Sequence, residues 1–478
     1  MATSRTRQIY ALGILFAINA INFFDRQLVS VVSEPIRREW DLSDIQVGWL
    51  TTAFTLLYAV MGVPLGRLAD RAKRTRLLAI GVLFWSVMTA TTAFTRNFAQ
   101  MFAARLGVGV GEAACAPAST SLIGDLFPPR QRGKALSVFL MGLPIGLALS
   151  SLIGSQLAAS YGWRRCFLVA GVPGVFCALG VMLLREPERG QREELADVGS
   201  HRRTGSPYRI VLSTPTMGWI ILSGALHNFS MYAVSAFLMP YLMRYHEAPL
   251  PVAGRLATSL ALVGIPGLLL GGFLGDLSRR SRINGGLLTS AWASLAAAPM
   301  TYLALGSPRG DLMGFAFFLA LANGLMYVYY STVYSAIQDV IEPSLRGTAM
   351  ALYFCAMYVV GASFGPVATG FLSDRSTKAA ATNAGVMTLN SIELEPFRGA
   401  GLRSAMYLVP ILEMALAIVL FAAAYAIRQD SRRLLDWMDS LDEPPASHDA
   451  GGQDPTHQAD SGASLNSSDD RASKSDHK

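Results

Sequence analysis

Long apolar runs separated by short polar segments dominate the pattern of this chain. A helix that spans a membrane needs about 20 mostly apolar residues. Twelve such runs are predicted near residues 9–33, 45–68, 76–95, 98–124, 134–158, 164–184, 215–243, 253–276, 284–305, 311–338, 347–373 and 402–427. The pattern therefore predicts an all-α integral membrane protein with twelve transmembrane helices.

A polar segment between the sixth and seventh runs, "REPERGQREELADVGSHRRTGSPYR", has no apolar face and divides the helices into two sets of six. From Asp436 onward the chain is rich in Ser, Asp, Gly and Pro, a composition that cannot bury a core. The expected units are an N-terminal bundle over 1–184, a cytoplasmic linker over 185–214, a C-terminal bundle over 215–427 and a cytoplasmic, largely disordered tail over 428–478.

Composition agrees with a membrane protein, because 52% of the residues are hydrophobic and only 15% are charged. Soluble domains carry about 25% charged residues. The net charge of +7 comes from Lys and Arg that favour the loops on the side of the two termini. This bias predicts cytoplasmic termini and gives no reason to expect nucleic-acid binding. The expected location is a bacterial inner membrane. The segment "IRQDSRRLLDWM" either lies along the inner membrane surface or simply ends the last helix.

An internal repeat links the two halves. "GRLADRAKR" (66–74) at the end of the second run aligns with "GFLGDLSRR" (272–280) at the end of the eighth. "DLFPPRQRGKA" (125–135) aligns in the same way with "DVIEPSLRGTA" (339–349). Two halves with paired motifs in equivalent loops are typical of a duplicated transporter.

The repeated loops are candidate gates. The small residue Gly66 is expected to let two helices approach closely. Asp70 is expected to bond the N-terminus of a neighbouring helix and to pair with an arginine, and so to latch the cytoplasmic side in one state. The predicted gating residues are Gly66, Asp70, Arg71, Arg74, Arg132, Asp276, Arg280 and Arg346.

Charged residues also lie inside two of the runs, where a charge costs a few kcal/mol. "NAINFFDRQ" (19–27) places Asp25 and Arg26 in the first run, and the fourth carries Arg105 and Glu112. Counting helical rise from the run ends predicts two ion pairs, Asp25 with Arg105 and Arg26 with Glu112. A buried cluster that only fixes helix packing is the alternative.

A polar stripe is predicted on the first helix, because Asn19, Asn22 and Arg26 share one face. We expect it to face a cavity. The predicted proton-coupling residues are Asp25 and Glu112. The predicted substrate-binding residues are Asn19, Asn22, Arg26, Arg105, His227, Asn323 and Tyr327.

The C-terminal half is rich in Met and aromatic residues and poor in charge. Such a wall suits a flexible apolar chain, although a packed bundle core accounts equally well for any single residue. His227 in particular has a packing role as its alternative. Glu413 in the last run is an outlier without an assigned role. No metal-ligand spacing or cofactor loop occurs, so we expect neither a metal nor a cofactor, and no enzyme activity.

The motif "GRLADRAKR" resembles the loop signature of the major facilitator superfamily, with Lys73 where a second Gly is usual. The stretches "NFFDRQLVSVVSEPIRREWDLSD", "ARLGVGVGEAACAPASTSLIGDLFPPRQRGKALS" and "LADRAKR" are similar to the Spinster-type branch. The resemblance covers the N-terminal half well and the C-terminal half weakly. It implies the superfamily's two pseudo-symmetric six-helix bundles, and it points to Asp25, Arg26, Arg105 and Glu112.

The resemblance also implies a proton-linked secondary transporter of sphingolipid-like or lysophospholipid-like amphiphiles. The expected partners are this small amphiphilic substrate, protons and membrane lipid, with the protein as a monomer. Two alternatives remain at this point: a symporter of a small organic anion such as a sugar acid, and a membrane sensor or scaffold that transports nothing.

Overall fold

The computed structural model describes residues 5–187, 206–342 and 345–442; a few side chains within its helices, including that of Asp70, lie outside the description. The first six spanning helices are α1 Arg5–Val31, α2 Asp44–Arg71, α3 Arg74–Thr92, α4 Phe98–Glu112 with Cys115–Leu126, α5 Pro129–Leu140 with Gly142–Leu149, Ser150–Gly154 and Ser155–Tyr161, and α6 Trp163–Met182. The second six are α7 Pro215–Arg244, α8 Leu250–Ser281, α9 Gly285–Gly306, α10 Leu312–Val340, α11 Arg346–Cys355 with Ala356–Ala362 and Ser363–Asn383, and α12 Arg398–Met406 with Leu408–Asp442.

The twelve predicted helices are all present. Eleven helices of the described chain are long and apolar enough to cross a membrane by length and composition. The twelfth, α9, is rich in Ala, Ser and Gly rather than in large apolar residues, and it packs against α8, α10 and α12. Its small side chains suit close helix packing inside a bundle.

The two sets of six helices pack in the same way. The pairs α1–α5, α1–α6, α2–α4, α3–α4 and α3–α6 recur six helices later as α7–α11, α7–α12, α8–α10, α9–α10 and α9–α12. Glycines allow equivalent close approaches: a Cβ at Gly146 would lie 2.2 Å from the Ala20 carbonyl oxygen, and one at Gly361 would lie 2.5 Å from that of Ala225. The fold is thus two pseudo-symmetric six-helix bundles.

The bundles meet along α2–α11, α5–α8 and α1–α7. The end of the molecule where α1 begins and α12 ends is called the terminal end here, and the opposite end is the far end. Both α5 and α11 contain a π-helical segment, Ser150–Gly154 and Ala356–Ala362. Short helices outside the spans are Ser33–Trp40, Ser391–Leu394 and Glu395–Phe397 at the far end and Pro207–Ser213 at the terminal end.

Two stretches outside the predicted spans contain helix. The helix Pro207–Ser213 falls inside the predicted linker, whose residues 188–205 lie outside the described part of the chain. The last helix continues to Asp442, so "IRQDSRRLLDWM" extends α12 instead of forming a separate surface helix. The tail predicted to begin at 428 therefore starts as helix, and residues 443–478 are outside the description.

Candidate functional site: a buried charge cluster between two gates

One of the two predicted ion pairs between α1 and α4 is confirmed. Arg26 Nε lies 2.8 Å from Glu112 Oε2, and the side chains are 9% and 0% exposed. A charge pair in this position satisfies two groups that would each be costly to bury alone. Glu112 Oε1 and Arg26 Nη1 have no hydrogen-bond partner, so the pair keeps one free acceptor and one free donor.

The predicted pair of Asp25 with Arg105 is not formed between side chains. Arg105 Nη1 donates instead to the backbone carbonyl oxygen of Asp25, at 3.5 Å. The Asp25 carboxylate turns toward α3, where Oδ2 accepts from Thr89 Oγ1 at 3.4 Å, and Oδ1 has no partner. Asp25 and Arg105 lie at similar heights along their helices, as predicted. The direction of the Asp25 side chain nevertheless leaves its carboxylate without an ion pair.

Aromatic rings surround the Arg26 guanidinium. Its carbon lies 4.8 Å from the ring centroid of Phe23, 4.6 Å from that of Phe54 and 4.3 Å from that of Tyr58. Tyr58 in turn contacts Tyr358 of α11 edge-on, at 5.6 Å between centroids. The group of aromatic rings around Arg26 therefore continues into the C-terminal bundle. The sequence analysis missed Tyr58, although its spacing of four from Phe54 places both on one face of α2.

Two residues of the predicted polar stripe on α1 are packed inside the protein in this state. Asn19 is buried and its Nδ2 donates to the Phe139 carbonyl oxygen of α5 at 2.7 Å. Asn22 is buried too, and its Nδ2 has no partner. Asn19 therefore serves the packing of α1 on α5, because its amide donor is already used by the backbone of a neighbouring helix.

In the C-terminal bundle, His227 is a packing residue in this conformation. Its ring is fully buried and stacks on Tyr329 at 4.0 Å between centroids, and neither ring nitrogen has a partner. Asn323 and Tyr327 both line a cavity of about 110 Å³. Asn323 Nδ2 donates to the Leu260 carbonyl oxygen at 2.7 Å, which fixes its side chain at the cavity wall.

At the terminal end, the ion pairs of the described residues join groups of the same bundle. Arg74 pairs with Asp125 and, at 2.8 Å, with Glu186. The counterpart in the second bundle is Arg279 with Asp339, at 3.1 Å. The predicted equivalence of Arg74 with Arg280 is therefore wrong by one residue, because α8 stays helical to Ser281 whereas α2 ends at Arg71.

The second pair of repeated loops, 125–135 and 339–349, makes equivalent contacts at the positions that the sequence alignment pairs. Arg132 Nη2 donates to the Gly124 carbonyl oxygen at 2.7 Å, and Arg346 Nη2 donates to that of Gln338 at 3.0 Å. Each arginine thus satisfies a carbonyl eight residues earlier, near the end of α4 or α10.

The terminal end is open around the predicted latch. A Cβ on Gly66 or Gly272 would meet no atom of the described residues within 4 Å, so these residues do not make the expected close helix approach at Gly66 in this state. Arg71, Asp276 and Arg280 are exposed, and none of them forms an ion pair within the described part of the chain. The side chain of Asp70 lies outside the description.

At the far end, by contrast, ion pairs cross between the bundles. Arg244 at the end of α7 lies 2.7 Å from Glu34 and 2.8 Å from Asp44, and all three side chains are nearly inaccessible to solvent. Arg37 lies 2.6 Å from Glu395 of the C-terminal bundle. The sequence analysis missed this network, since its members come from segments far apart in the chain.

A carboxylate of α11 also caps α2 at the far end. Asp374 Oδ1 and Oδ2 each accept from a backbone N–H, of Asp44 and Ile45, at 2.9 Å. A Cβ on Gly370 would lie 2.3 Å from the Asp44 carbonyl oxygen, so only glycine permits this contact. "GFLSDR" (370–375) repeats the Gly-x-Leu-x-Asp-Arg spacing of "GRLADR" (66–71). That repeat was visible in the sequence and could have revealed a second latch.

The charge balance at the far end keeps Glu34 ionised. Burial raises the pKa of this carboxyl, but Arg244 and Arg37 outweigh the burial and lower the pKa to about 2. The closed arrangement of the far end therefore depends on an anionic Glu34.

Comparison with known proteins agrees with this geometry. The sequence-family model of the Major Facilitator Superfamily matches residues 15–366 of this chain. An MFS-type efflux pump of Mycolicibacterium smegmatis is 30% identical over 77% of this chain and 85% of its own length. A probable L-galactonate transporter of Escherichia coli is 29% identical over 77% of this chain and 83% of its own.

The crystal structure of a bacterial homolog of the human lysosomal transporter Spinster, in an inward-facing and unoccupied conformation, superposes with a TM-score of 0.80. It is 27% identical and covers 90% of this chain and 99% of that one.

Twelve helices in two equivalent bundles, with buried charges between them, define a multi-pass membrane transporter rather than an enzyme. The chain belongs to the Major Facilitator Superfamily and is of the Spinster type.

Proposed function

We propose that this transporter moves an anionic, lipid-like amphiphile across the membrane by alternating access, coupled to protons, as a monomer of the bacterial inner membrane with cytoplasmic termini. The observation that carries the substrate class is the Arg26 site. A guanidinium with a free Nη1 lies among aromatic rings that continue into the C-terminal bundle, which is poor in charge. Arg26 binds the anionic head, and the Met and aromatic wall receives the apolar part.

The contrast between the two ends supports alternating access. The far end is held by Asp374 on the N-terminus of α2, whereas the terminal end is open around Gly66. Because "GRLADR" has the spacing of "GFLSDR", we propose that Asp70 caps the N-terminus of α11 at Arg346 in the opposite state. Two alternative latches with similar contacts give two states of similar free energy, which transport by a rocking movement requires.

Proton coupling is assigned to Asp25 in preference to Glu112. Glu112 is paired with Arg26, whereas the buried Asp25 carboxylate makes only a 3.4 Å bond to Thr89. A buried carboxylate without an ion pair is the group whose protonation changes most readily with its surroundings. Glu112 is the alternative proton site.

A small organic anion such as a sugar acid is the second candidate substrate. Two observations favour it: the similarity to the probable L-galactonate transporter, and aromatic faces beside Arg26 that suit a sugar ring as well as an alkyl chain. Both candidates need the same arginine. The two candidates differ in the part of the substrate that the C-terminal bundle must contact.

The test is uptake into proteoliposomes of a lysophospholipid and of a hexonate, each with and without a pH gradient. The key variant is the double exchange Arg26→Gln with Glu112→Gln, which removes both charges of the pair and so creates no new unpaired charge in the buried cluster. We expect it to fold and to lose uptake at least 100-fold. Arg255→Gln, on an exposed position of α8, is the control.

Uptake of the hexonate but not of the lysophospholipid would select the second candidate. Normal uptake by the double variant would exclude Arg26 as the site that binds the anionic group of either candidate substrate. Asp25→Asn should remove the dependence of uptake on pH; if Glu112→Gln removes it and Asp25→Asn does not, the proton site is on α4.

A further inference from the structure

We infer that the cavity beside Glu413, at the boundary between the two bundles, is a binding site for an organic ammonium group. The cavity is about 110 Å³, and α7, α8, α9, α10 and α12 form most of its wall. Gln27 of α1 and Ser151 of α5 complete it from the N-terminal bundle. None of the roles described above uses Glu413.

Glu413 lines this cavity and has one carboxylate oxygen without a partner. The side chain is fully buried, and Oε1 accepts from Thr301 Oγ1 at 3.0 Å. Oε2 has no hydrogen-bond partner, and no arginine or lysine in the described ranges forms an ion pair with Glu413. A buried carboxylate in this position gains most from a cation that also donates hydrogen bonds.

Two other polar groups of the wall each donate a hydrogen bond to a protein acceptor. Ser235 Oγ donates to Gln27 Oε1 at 2.9 Å, and Asn323 Nδ2 donates to the Leu260 carbonyl oxygen. Among the side-chain polar atoms of the described wall residues, the buried one without a partner is an acceptor, Glu413 Oε2. Met231, Leu238 and Met326 supply apolar wall, which suits the carbon atoms next to an ammonium nitrogen.

The location connects this site to the transport pathway. Gln27 follows Arg26 in α1, and the cavity lies where the bundles touch, so a ligand there would contact both. The inference rests on the proposed function only in this respect: a zwitterionic amphiphile could place its anionic group at Arg26 and its ammonium group at Glu413. A separate amine would use the Glu413 cavity alone.

The experiment measures binding of octylamine to the purified protein at pH 7, by calorimetry in a neutral detergent, with octanol as the uncharged analogue. We expect octylamine to bind and Glu413→Gln to weaken this binding at least tenfold. Thr301→Val should change it less, because the charge remains. Glu247→Gln removes an exposed carboxylate at the far end and should leave binding unchanged.

Equal binding of octanol and octylamine, or unchanged octylamine binding by a folded Glu413→Gln variant, overturns the inference. If Glu413→Gln does not fold, Ala261→Leu decides the question, since it fills the cavity without touching the carboxylate and should block octylamine. The double variant Arg26→Gln with Glu112→Gln separates the two kinds of ligand, a zwitterionic amphiphile and a separate amine. It should keep octylamine binding but lose the binding of a zwitterionic lysolipid. Because octylamine binding needs no flux, failure of the transport proposal leaves this result interpretable.

Discussion

The two ends of this transporter carry similar sequence motifs in different structural states. At the far end, Gly370 and Asp374 of "GFLSDR" are packed against the N-terminus of α2. At the terminal end, a Cβ on Gly66 of "GRLADR" would meet no atom of the described residues within 4 Å, and the ion pairs of the described residues stay within one bundle. A motif of this kind therefore defines a potential contact, and the state of the whole molecule decides whether the contact is made.

The ion pairs differ in the same way. Arg244 joins two carboxylates that belong to the other bundle, whereas Arg74 joins two carboxylates of its own. Breaking the first set should change how the bundles are arranged, and breaking the second should change the stability of one bundle. The comparison can be tested by perturbing each end separately.

The largest effect is expected from Arg244→Ala. It leaves the buried Glu34 and Asp44 carboxylates without this cation, a loss of about 3–5 kcal/mol. The far end should open, seen as longer distances between spin labels at the exposed positions Phe94 and Met387. Arg74→Ala is the matched control: it should lower the melting temperature without lengthening these distances. An unchanged distance distribution in Arg244→Ala would show that the network does not close the far end.

An intermediate effect is expected from Asp374→Asn. Asparagine keeps the size but removes the charge and one acceptor, and a hydrogen bond to a charged group is worth about 1.5–3 kcal/mol. The same pair of labels should report a partial opening of the far end. Asp70→Asn should have the opposite effect, because it weakens the latch of the other state and so favours the terminal-open state. The same direction of shift in both variants would contradict the idea of two alternative latches.

The smallest effect is expected from acid. The pKa of Glu34 is lowered from 4.5 to about 2 by its arginines, against the effect of burial. A lowered pKa contributes stability that is present above pH 4.5 and is lost as the pH falls toward 2. At pH 3.5 the loss is about 1.4 kcal/mol if opening restores the ordinary pKa. The label distances should lengthen between pH 5 and 3.5 in the wild type, and less so in Glu34→Gln; equal responses would exclude Glu34 as the titrating group.

Periodicity and repeats within the sequence determined most of the architecture. Twelve apolar runs, the polar break after the sixth and the paired loops were enough for the two-bundle fold, because a helix in lipid must satisfy its own backbone hydrogen bonds. The Arg26–Glu112 pair was also predictable, since helical rise and membrane thickness fix the heights of residues on two helices.

Only the tertiary structure decided which groups meet at equal height and which end is closed. The Asp25 carboxylate turns to Thr89 instead of Arg105, and Asn19 bonds the backbone of α5 instead of facing a cavity. Height along a helix follows from residue number, but the direction of a side chain depends on helix rotation and on the neighbour it packs against. Closure at Arg244 and Asp374 joins segments hundreds of residues apart. A sequence compatible with both latches cannot show which one is engaged, because that choice belongs to the conformational equilibrium of the assembled bundles.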